Sequence, residues 1–239
     1  MSSTAYPGQE LTVFQDATHW KSYWGNMIRS QVKGKVLEVG AGIGGTTPYL
    51  LNAEVRDWVL LEPDSSMATL LQEKARQSNW PVVCRVKQGT LRDLHENGFD
   101  TILYIDVLEH IEKDAEEFRD AVSILAPGGR IIILSPAYPS LYSAFDKAIG
   151  HYRRYTKRSF LQMAPSGLNL ISLKYLDGIG CLLSLGNKWV TKQTTPTARQ
   201  IQFWDRTLIP LSKITDRLTG FSFGRSILGV WEKTNIHPR

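Results

Sequence analysis

Three glycines at alternate positions, Gly40, Gly42 and Gly44, follow a short apolar run and can bring the backbone close to a bound ligand. Glu62 comes at the end of the next predicted strand, where a carboxylate can accept hydrogen bonds from both hydroxyls of a ribose. A glycine loop followed by such an acid is typical of nucleotide-binding sites. With Gly45 the loop also satisfies the dinucleotide-binding pattern G-x-G-x-x-G. The loop is therefore compatible with a dinucleotide cofactor as well as with other nucleotide ligands. A tight turn followed by a surface glutamate is the structural alternative.

Two groups of charged residues near this loop indicate further chemistry. Glu38 lies within the apolar run before the loop, and an unpaired carboxylate would be costly to bury there, so we expect it to face a hydrogen-bond donor. Residues 106–110 (Asp-Val-Leu-Glu-His) follow a later predicted strand and place two acids and a histidine at the mouth of the sheet. A hydride-transfer enzyme has no general need for these groups there, so they favour another chemistry.

Short apolar strands alternate with helices along most of the chain, and this alternation predicts a parallel sheet buried on both faces. Threonine at an N-cap and proline at the first helical position mark the start of the helix that follows the glycine loop. The last two strands should form an antiparallel hairpin that closes the sheet. The predicted strands lie at 36–39, 58–61, 81–87, 100–105, 130–134, 168–176 and 226–231, and the predicted helices at 18–32, 46–51, 65–76, 112–125, 160–163, 179–190 and 201–218.

The alternation changes after the fifth strand, where prolines, aromatic residues and a basic cluster form an insertion. Ligands of open parallel sheets bind beyond the carboxyl ends of the strands, so this insertion is placed to act as a lid or substrate wall. We predict a single domain throughout. Its parts are an N-terminal cap helix at about 14–33, a cofactor-binding core at about 34–135, lid segments at about 136–165 and 178–218, and closing strands at about 168–177 and 226–232.

The segments 36–44 and 106–110, together with Glu62, resemble the class I S-adenosylmethionine-dependent methyltransferases, and the resemblance covers most of residues 18–177. Residues 145–155 (Phe-Asp-Lys-Ala-Ile-Gly-His-Tyr-Arg-Arg-Tyr) are similar to those of a small stand-alone subgroup, methyltransferase type 11/12-like. The resemblance implies an α/β fold, a Rossmann-like seven-stranded and mostly parallel sheet with helices on both faces and an antiparallel last strand. Lid elements would lie over the carboxyl end of the sheet. The implied cofactor is S-adenosyl-L-methionine.

The resemblance also implies which residues bind that cofactor. Glu38 and the loop backbone would hold its methionine end, and Glu62 would hold the ribose. Met67 would face the adenine, while Asp106 and Val107 would line the mouth where the methyl group is transferred. The full set of expected cofactor-binding residues is Glu38, Gly40, Ala41, Gly42, Gly44, Glu62, Pro63, Met67, Thr90, Leu91, Asp106 and Val107.

One position departs from the family pattern. The family often carries an acid at the end of the third strand, where it meets the adenine amino group, and this chain has Thr90 there. A hydroxyl or the backbone would have to make the contact, with Asp93 as a nearby substitute.

Two histidines are candidates for moving a proton. Methyl transfer from a sulfonium is an in-line displacement, and an oxygen or nitrogen acceptor must have lost a proton, so a base near neutral pH helps. His110 and His151 lie near predicted strand ends, and we expect them to be catalytic together with Tyr152. The alternatives are a structural histidine in a strand-to-helix turn for His110 and a solvated basic surface for His151. No metal is expected in the site.

Aromatic and basic residues are expected to bind the acceptor. Trp20, Tyr23 and Trp24 would cap the cofactor from the N-terminal helix, or else pack that helix on the sheet. The basic run at 153–158, with Tyr152 before it and Tyr155 within it, would form a recognition lid or a solvated helix start. The expected substrate-binding residues are Trp20, Tyr23, Trp24, Tyr138, Arg153, Arg154 and Tyr155.

Composition sets outer bounds on the function. The chain has 239 residues, 42% of them hydrophobic, which is enough for a sizeable core. Its net charge of +5 suits an anionic substrate, a membrane surface or nucleic acid, and decides among none of them. Cys84 and Cys181 alone make neither a disulfide framework nor a four-cysteine zinc site, and suit a reducing interior. We recognise no N-terminal secretion signal, and expect a cytoplasmic monomer or homodimer.

The preferred function is methyl transfer to an O, N or C atom of a small-molecule acceptor such as a specialised metabolite or sugar. A nicotinamide oxidoreductase is disfavoured because no Tyr-x-x-x-Lys pair is recognised, and a catalytically silent cofactor-binding partner protein is a further alternative. Nucleic acid is disfavoured as a substrate, because no RNA-binding domain or Asn-Pro-Pro-Tyr motif is evident. A lipid-like substrate or a peripheral membrane contact would suit the apolar helices at 179–190 and 201–218, which are too short to span a bilayer.

Overall fold

A computed structural model describes residues 14–187 and 197–235, and within them seven strands form one sheet. The strands are β1 (Gly34–Val39), β2 (Val55–Glu62), β3 (Cys84–Gln88), β4 (Phe99–Ile105), β5 (Leu125–Pro136), β6 (Leu168–Leu176) and β7 (Ser226–Lys233). Their order in space is β3-β2-β1-β4-β5-β7-β6. The pairs among β1 to β5 are parallel, whereas β7 pairs antiparallel with both β5 and β6. The predicted parallel sheet with an antiparallel last strand is therefore confirmed.

Helices lie on both sides of the sheet and over its carboxyl edge. They are α1 (Thr18–Ile28), α2 (Ser65–Gln77), α3 (Asp114–Ile124), α4 (Ala144–Ala148), α5 (Lys157–Met163), α6 (Gly178–Asn187), α7 (Ala198–Phe203) and α8 (Ile209–Leu218), with a π-helical turn at Trp204–Leu208 joining the last two. The predicted helix at 201–218 is thus continuous but contains this wider turn. The last three residues of the helix predicted at 179–190, Trp189 among them, lie outside the described residues.

Two hydrophobic cores cover the two faces of the sheet. On one face Trp24 of α1 and Trp58 of β2 are almost fully buried in the same cluster. On the other, Phe118 of α3 and Phe160 of α5 pack their rings against Trp231 of β7, with centroids 5.4 and 5.8 Å from the indole. Because both faces are packed, the residues that follow the carboxyl ends of the strands are held by a rigid frame.

The prediction of a helix directly after the glycine loop is wrong. The structure has only a single 3₁₀ turn there, Thr47–Tyr49, with no side-chain cap. The hydroxyls of Thr46 and Thr47 donate instead to the carboxylate of Glu38. Hydrogen bonds to a charged group are about twice as strong as neutral ones. The threonine hydroxyls therefore stabilise the fold more as donors to the buried Glu38 carboxylate than as caps of a helix.

Other boundaries differ by small amounts with identifiable reasons. The turn predicted at 127–129 lies inside β5, where the pairing with β4 shifts register between Phe99 and Thr101. Gly128 takes a φ of 71°, which only glycine adopts readily, so the chain forms a bulge instead of ending the strand. The start of β3 is Cys84, later than predicted.

The helices over the carboxyl edge leave several apolar side chains at the surface. Exposed large hydrophobic residues in α6 to α8 are Leu182, Leu183, Leu185, Phe203, Leu211, Ile214 and Leu218. Within the described part of the chain, none of the helices has the length and apolarity to cross a bilayer. The peripheral membrane contact expected from these helices stays a prediction.

A buried aspartate from the π-helical turn fixes the start of α1. Ala17 occupies the N-cap position and offers no side-chain acceptor. Asp205 accepts hydrogen bonds from the backbone N–H groups of His19 and Trp20, at 3.1 and 2.8 Å, and contacts the His19 ring at 3.0 Å. A residue distant in sequence therefore does the capping, and it ties α1 to the segment between α7 and α8.

Replacing Asp205 by alanine should lower the free energy of unfolding by about 1–3 kcal/mol, because two helix N–H groups and the His19 ring lose a buried acceptor. Urea denaturation followed by tryptophan fluorescence measures the change. Asp16→Ala is the control, since Asp16 is an exposed acid just before α1, and it should shift stability by less than about 0.5 kcal/mol. Equal shifts in the two variants would show that Asp205 does not cap the helix.

Candidate functional site

The glycine loop adopts a backbone that other residues rarely take. Gly40, Gly42 and Gly44 have φ values of 65°, 55° and 67°, in the left-handed region where a Cβ is strained. A Cβ on Gly40 would also lie 2.6 Å from a methyl carbon of Val107. The alternation of glycines is therefore required by the loop path, which brings the backbone of β1 against the residues that follow β4.

Glu38 lies under this loop and is paired, as the sequence predicts. Besides Thr46 and Thr47, the indole Nε1 of Trp58 donates to its carboxylate at 3.1 Å. Burial raises the pKa of Glu38, and these three donors oppose that rise. Its carboxylate is not part of the cavity wall described below, so its expected contact with the methionine end of a cofactor stays a prediction.

Glu62 ends β2 and joins two loops. One carboxylate oxygen accepts from the N–H of Gly42 at 2.7 Å, and the other accepts from the N–H of Asp64 at 2.9 Å. Burial raises its pKa, while the two backbone donors lower it. Each carboxylate oxygen has a second lone pair, so Glu62 can hold the glycine loop and still accept from a ligand hydroxyl.

A cavity of about 1470 Å³ opens at the carboxyl edge of the sheet between the glycine loop and the lid. Most of the predicted cofactor site forms its wall, together with two residues of α1, both histidines and one arginine. The predicted residues that line it are Trp20, Trp24, Gly40, Ala41, Gly42, Glu62, Pro63, Met67, Thr90, Leu91, Asp106, Val107, His110, His151 and Arg154. Thr90 bonds to the side chain of Asp93 through both its N–H and its hydroxyl, in a capping box, and Asp93 itself is not in the wall.

Asp106 stands in this wall with a strained backbone. Its φ is 53°, unusual for a residue other than glycine, and its N–H donates to the carbonyl of Leu134. The side chain is accessible from the cavity but surrounded by protein, and this desolvation raises its pKa to about 6, against the opposing charges of His151, Arg225 and Lys21. Strained residues of this kind cluster at functional sites.

Beside Asp106 the structure brings together Glu109, His110 and His151. The rings of the two histidines pack edge to face with centroids 4.5 Å apart, and Nε2 of His151 lies 3.9 Å from Oε1 of Glu109. Burial lowers the pKa of His110 to about 4 and raises that of Glu109 well above its ordinary value. Nδ1 of His151 contacts Oδ1 of the buried Asp146 at 2.9 Å, which fixes the orientation of the ring.

Several known proteins are similar to this chain in sequence or in fold. Residues 37–131 match the family model described as "Methyltransferase domain". The chain is 36% identical over 124 residues to phosphoethanolamine N-methyltransferase 1 of Triticum aestivum, which covers 49% of this chain and 24% of that protein. The structure of the YcgJ protein from Bacillus subtilis has a TM-score of 0.58 at 18% identity, covering 92% of this chain and 100% of that one, and shows the shared fold. The chain is therefore similar in sequence to methyltransferase domains, and in fold to class I S-adenosylmethionine-dependent methyltransferases.

A second relative is named for a different acceptor. This chain is 25% identical over 155 residues to the chloroplastic tocopherol O-methyltransferase of Arabidopsis thaliana, covering 62% of this chain and 43% of that protein. The chain spans about a quarter of the length of the phosphoethanolamine N-methyltransferase and less than half of the length of the tocopherol O-methyltransferase. Similarity to methyltransferase domains, together with the fold, implies S-adenosyl-L-methionine as the cofactor. The cavity wall fits it, since Glu62 and the close-approaching loop backbone face the same space.

Several residues expected to touch the acceptor lie elsewhere. Tyr23 donates its hydroxyl to Asp216. Arg153 and Tyr155 both bond to Asp114, at the start of α3. Tyr138 stacks on Tyr175, with centroids 4.8 Å apart. None of these four predicted residues, nor Gly44 and the 54% exposed Tyr152, belongs to the described cavity wall, and their expected roles stay predictions.

The cavity wall also contains residues that the sequence did not single out. Lys21 lines the cavity next to Trp20, its amine donates to the carbonyl of Gln15, and burial lowers its pKa. Its spacing of three residues from Trp24 indicates that Lys21 lies on the same side of α1, because residues three apart share a helix face. Trp204 and Arg225 reach the wall from the π-helical turn and from the residue before β7, and no local pattern marks either of them.

Proposed function

We propose that this chain transfers a methyl group from S-adenosylmethionine to a small-molecule acceptor. The observation that carries the proposal is the continuity of one cavity from the glycine loop and Glu62 to the group formed by Asp106, His110 and His151. Its volume of about 1470 Å³ exceeds the roughly 300–1,000 Å³ of a pocket for one drug-sized ligand. Cofactor and acceptor can therefore occupy it side by side.

The residues at the loop end of the cavity would bind the cofactor, which supplies a methyl group on a positively charged sulfur. Glu62 would accept from the ribose hydroxyls while it keeps the loop closed through Gly42. Pro63 and Met67, at the start of α2, supply an apolar wall beside it. The carboxylate of Asp106, which stands in the cavity wall, would favour the cationic cofactor by its charge.

The lid would exclude water and present the acceptor. Residues of the 141–151 segment and of α6 and α7 line the cavity together with the loop. Enclosure lets alignment of acceptor and methyl carbon lower the barrier, since well-oriented groups gain up to about 7–11 kcal/mol in intramolecular reactions. The similarity to enzymes named for phosphoethanolamine and for tocopherol supports a small molecule as the acceptor.

The test is calorimetric titration of the full chain with S-adenosylmethionine, with its demethylated product and with NAD. We expect the first two to bind and NAD not to bind. Glu62→Gln should weaken cofactor binding about 10- to 150-fold, because the ribose and the loop N–H groups lose a charged acceptor worth about 1.5–3 kcal/mol.

Glu73→Gln is the matched control, since Glu73 is an exposed carboxylate on α2 and does not line the cavity. It should leave the dissociation constant unchanged. Binding of NAD instead of S-adenosylmethionine would overturn the proposed function. So would tight cofactor binding without methyl transfer to any member of a panel of alcohol, phenol and amine acceptors.

A further inference from the structure

We propose that Glu109, His110 and His151 form a binding site for a divalent transition-metal ion such as Zn²⁺ at the lid end of the cavity. Each residue offers one ligand atom, and these three atoms lie within 4.8 Å of one another. Two imidazoles and a carboxylate are a donor set that selects zinc and its neighbours over magnesium and calcium. All three residues line the cavity, so a fourth coordination position faces the space for the acceptor.

Glu109 supplies an independent reason to place a cation here. Its side chain is fully buried, and one oxygen accepts from the hydroxyl of Ser135 at 3.0 Å. The other oxygen, Oε1, has no hydrogen-bond partner in the described structure and lies 3.9 Å from Nε2 of His151. A buried carboxylate oxygen without a partner is costly, and a coordinated ion would satisfy it.

The orientation of His151 strengthens the argument. Its Nδ1 contacts the carboxylate of Asp146, which leaves the lone pair of Nε2 directed towards Glu109 when the ring is neutral. Two acceptors that face each other repel, so the pair needs a proton or a metal ion between them. Asp146 is in turn paired with Arg154, so the metal-facing ring has the carboxylate partner that metal-ligating histidines usually have.

His110 is oriented in a similar way. A hydrogen bond with the backbone of Gly150 holds its ring, and the ring packs edge to face on His151. Ligands about 2.1 Å from a tetrahedral zinc ion are about 3.4 Å apart, so the 3.9 Å between Glu109 and His151 would close by a small side-chain rotation. The site is therefore close to binding geometry before an ion enters.

A metal ion at this position has a consequence that rests on the proposed methyl transfer. An acceptor hydroxyl bound in the open coordination position would lose its proton more readily, because a bound zinc ion lowers the pKa of a coordinated oxygen. The site would then select acceptors with an oxygen nucleophile.

The test measures metal binding without cofactor or acceptor, so it succeeds or fails independently of methyl transfer. The full chain is stripped with a chelator and titrated with Zn²⁺ by calorimetry, and with Co²⁺ by visible absorption. We expect saturation at one equivalent, with Co²⁺ bands of low coordination number and no competition from excess Mg²⁺. Replacing a ligand should cost at least about 100-fold in affinity, since loss of an outer-shell partner alone costs 10- to 100-fold. His110→Gln and His151→Gln should both show this loss.

His95→Gln is the control, because His95 is exposed and outside the cluster. It should bind zinc as the unaltered chain does. Nitrogen-15 NMR of the histidine rings in the unaltered chain provides a readout that needs no variant. Zinc should shift the ring signals of His110 and His151 and leave His19 and His95 in place. The proposal is overturned if zinc does not saturate the chain, if both histidine variants keep full affinity, or if the shifted rings are not these two.

Discussion

A Gly40→Val variant should bind S-adenosylmethionine at least about 100-fold more weakly than the unaltered chain. Gly40 has a φ of 65°, and a β-branched residue there costs about 1–3 kcal/mol in backbone strain alone. The first side-chain carbon would also lie 2.6 and 2.8 Å from the two methyl carbons of Val107. The loop must therefore move out of the cavity wall, and since about 1.4 kcal/mol corresponds to a tenfold change in affinity, the two effects together exceed 100-fold.

Two controls separate the steric contact from backbone strain. Gly98 has a similar φ of 72°, but nothing lies within 4 Å of an added Cβ, so Gly98→Ala should keep the cofactor affinity. Pairing Gly40→Ala with Val107→Ala removes the two methyl carbons and should recover part of the affinity that Gly40→Ala loses, relative to Val107→Ala alone. Calorimetry with S-adenosylmethionine on these four variants and on Gly40→Val decides. If Gly40→Val binds normally, the close approach of loop and Val107 does not shape the site.

The part of the site that the sequence predicts well is the part with local causes. Gly40 and Gly42 are recognisable because their backbone conformation excludes other residues, whatever the rest of the chain does. Glu62 is recognisable because a polar residue at the end of an apolar strand must leave the sheet at the ligand edge. The parallel direction of the first five strands follows from the same regularity, since helices separate apolar strands that pair side by side.

Local signals fail where a distant group competes for the same atoms. Thr46 and Thr47 have the pattern of a helix start, yet their hydroxyls serve Glu38, whose burial depends on β2 and on Trp58. Asp205 caps a helix that begins far away along the chain. Such partners are set by tertiary packing, which residue spacing does not encode.

Two neighbouring residues of the basic run show that the sequence does not place individual side chains. Arg153 and Arg154 have the same charge, and both are predicted to bind the acceptor. In the structure Arg153 bonds to Asp114 outside the cavity wall, whereas Arg154 forms part of that wall and bonds to Asp146. Only Arg154 therefore touches the group that orients His151. The separation follows from the path of the chain between α4 and α5, which no periodic pattern predicts.

Arg154→Met should lower the free energy of unfolding by about 3–5 kcal/mol, the usual cost of removing one partner of a buried ion pair. Two guanidinium nitrogens of Arg154 donate to the two oxygens of Asp146, at 2.8 and 3.0 Å. Asp146 is fully buried, and the arginine side chain is only 12% exposed. Hydrogen bonds from His151 and Arg154 outweigh the effect of burial and hold the pKa of Asp146 below its ordinary value, so the variant leaves a buried negative charge short of its cation.

Arg56→Met is the matched comparison, because it also breaks an arginine–aspartate contact, at 3.0 Å to Asp100, but on a side chain that is 76% exposed. Exposed pairs contribute at most about 1 kcal/mol, so this variant should unfold at nearly the same urea concentration as the unaltered chain. Both are measured with a chelator present, so that a bound metal ion adds nothing to stability. If the two variants differ by less than about 1 kcal/mol, the Arg154–Asp146 pair does not hold the lid.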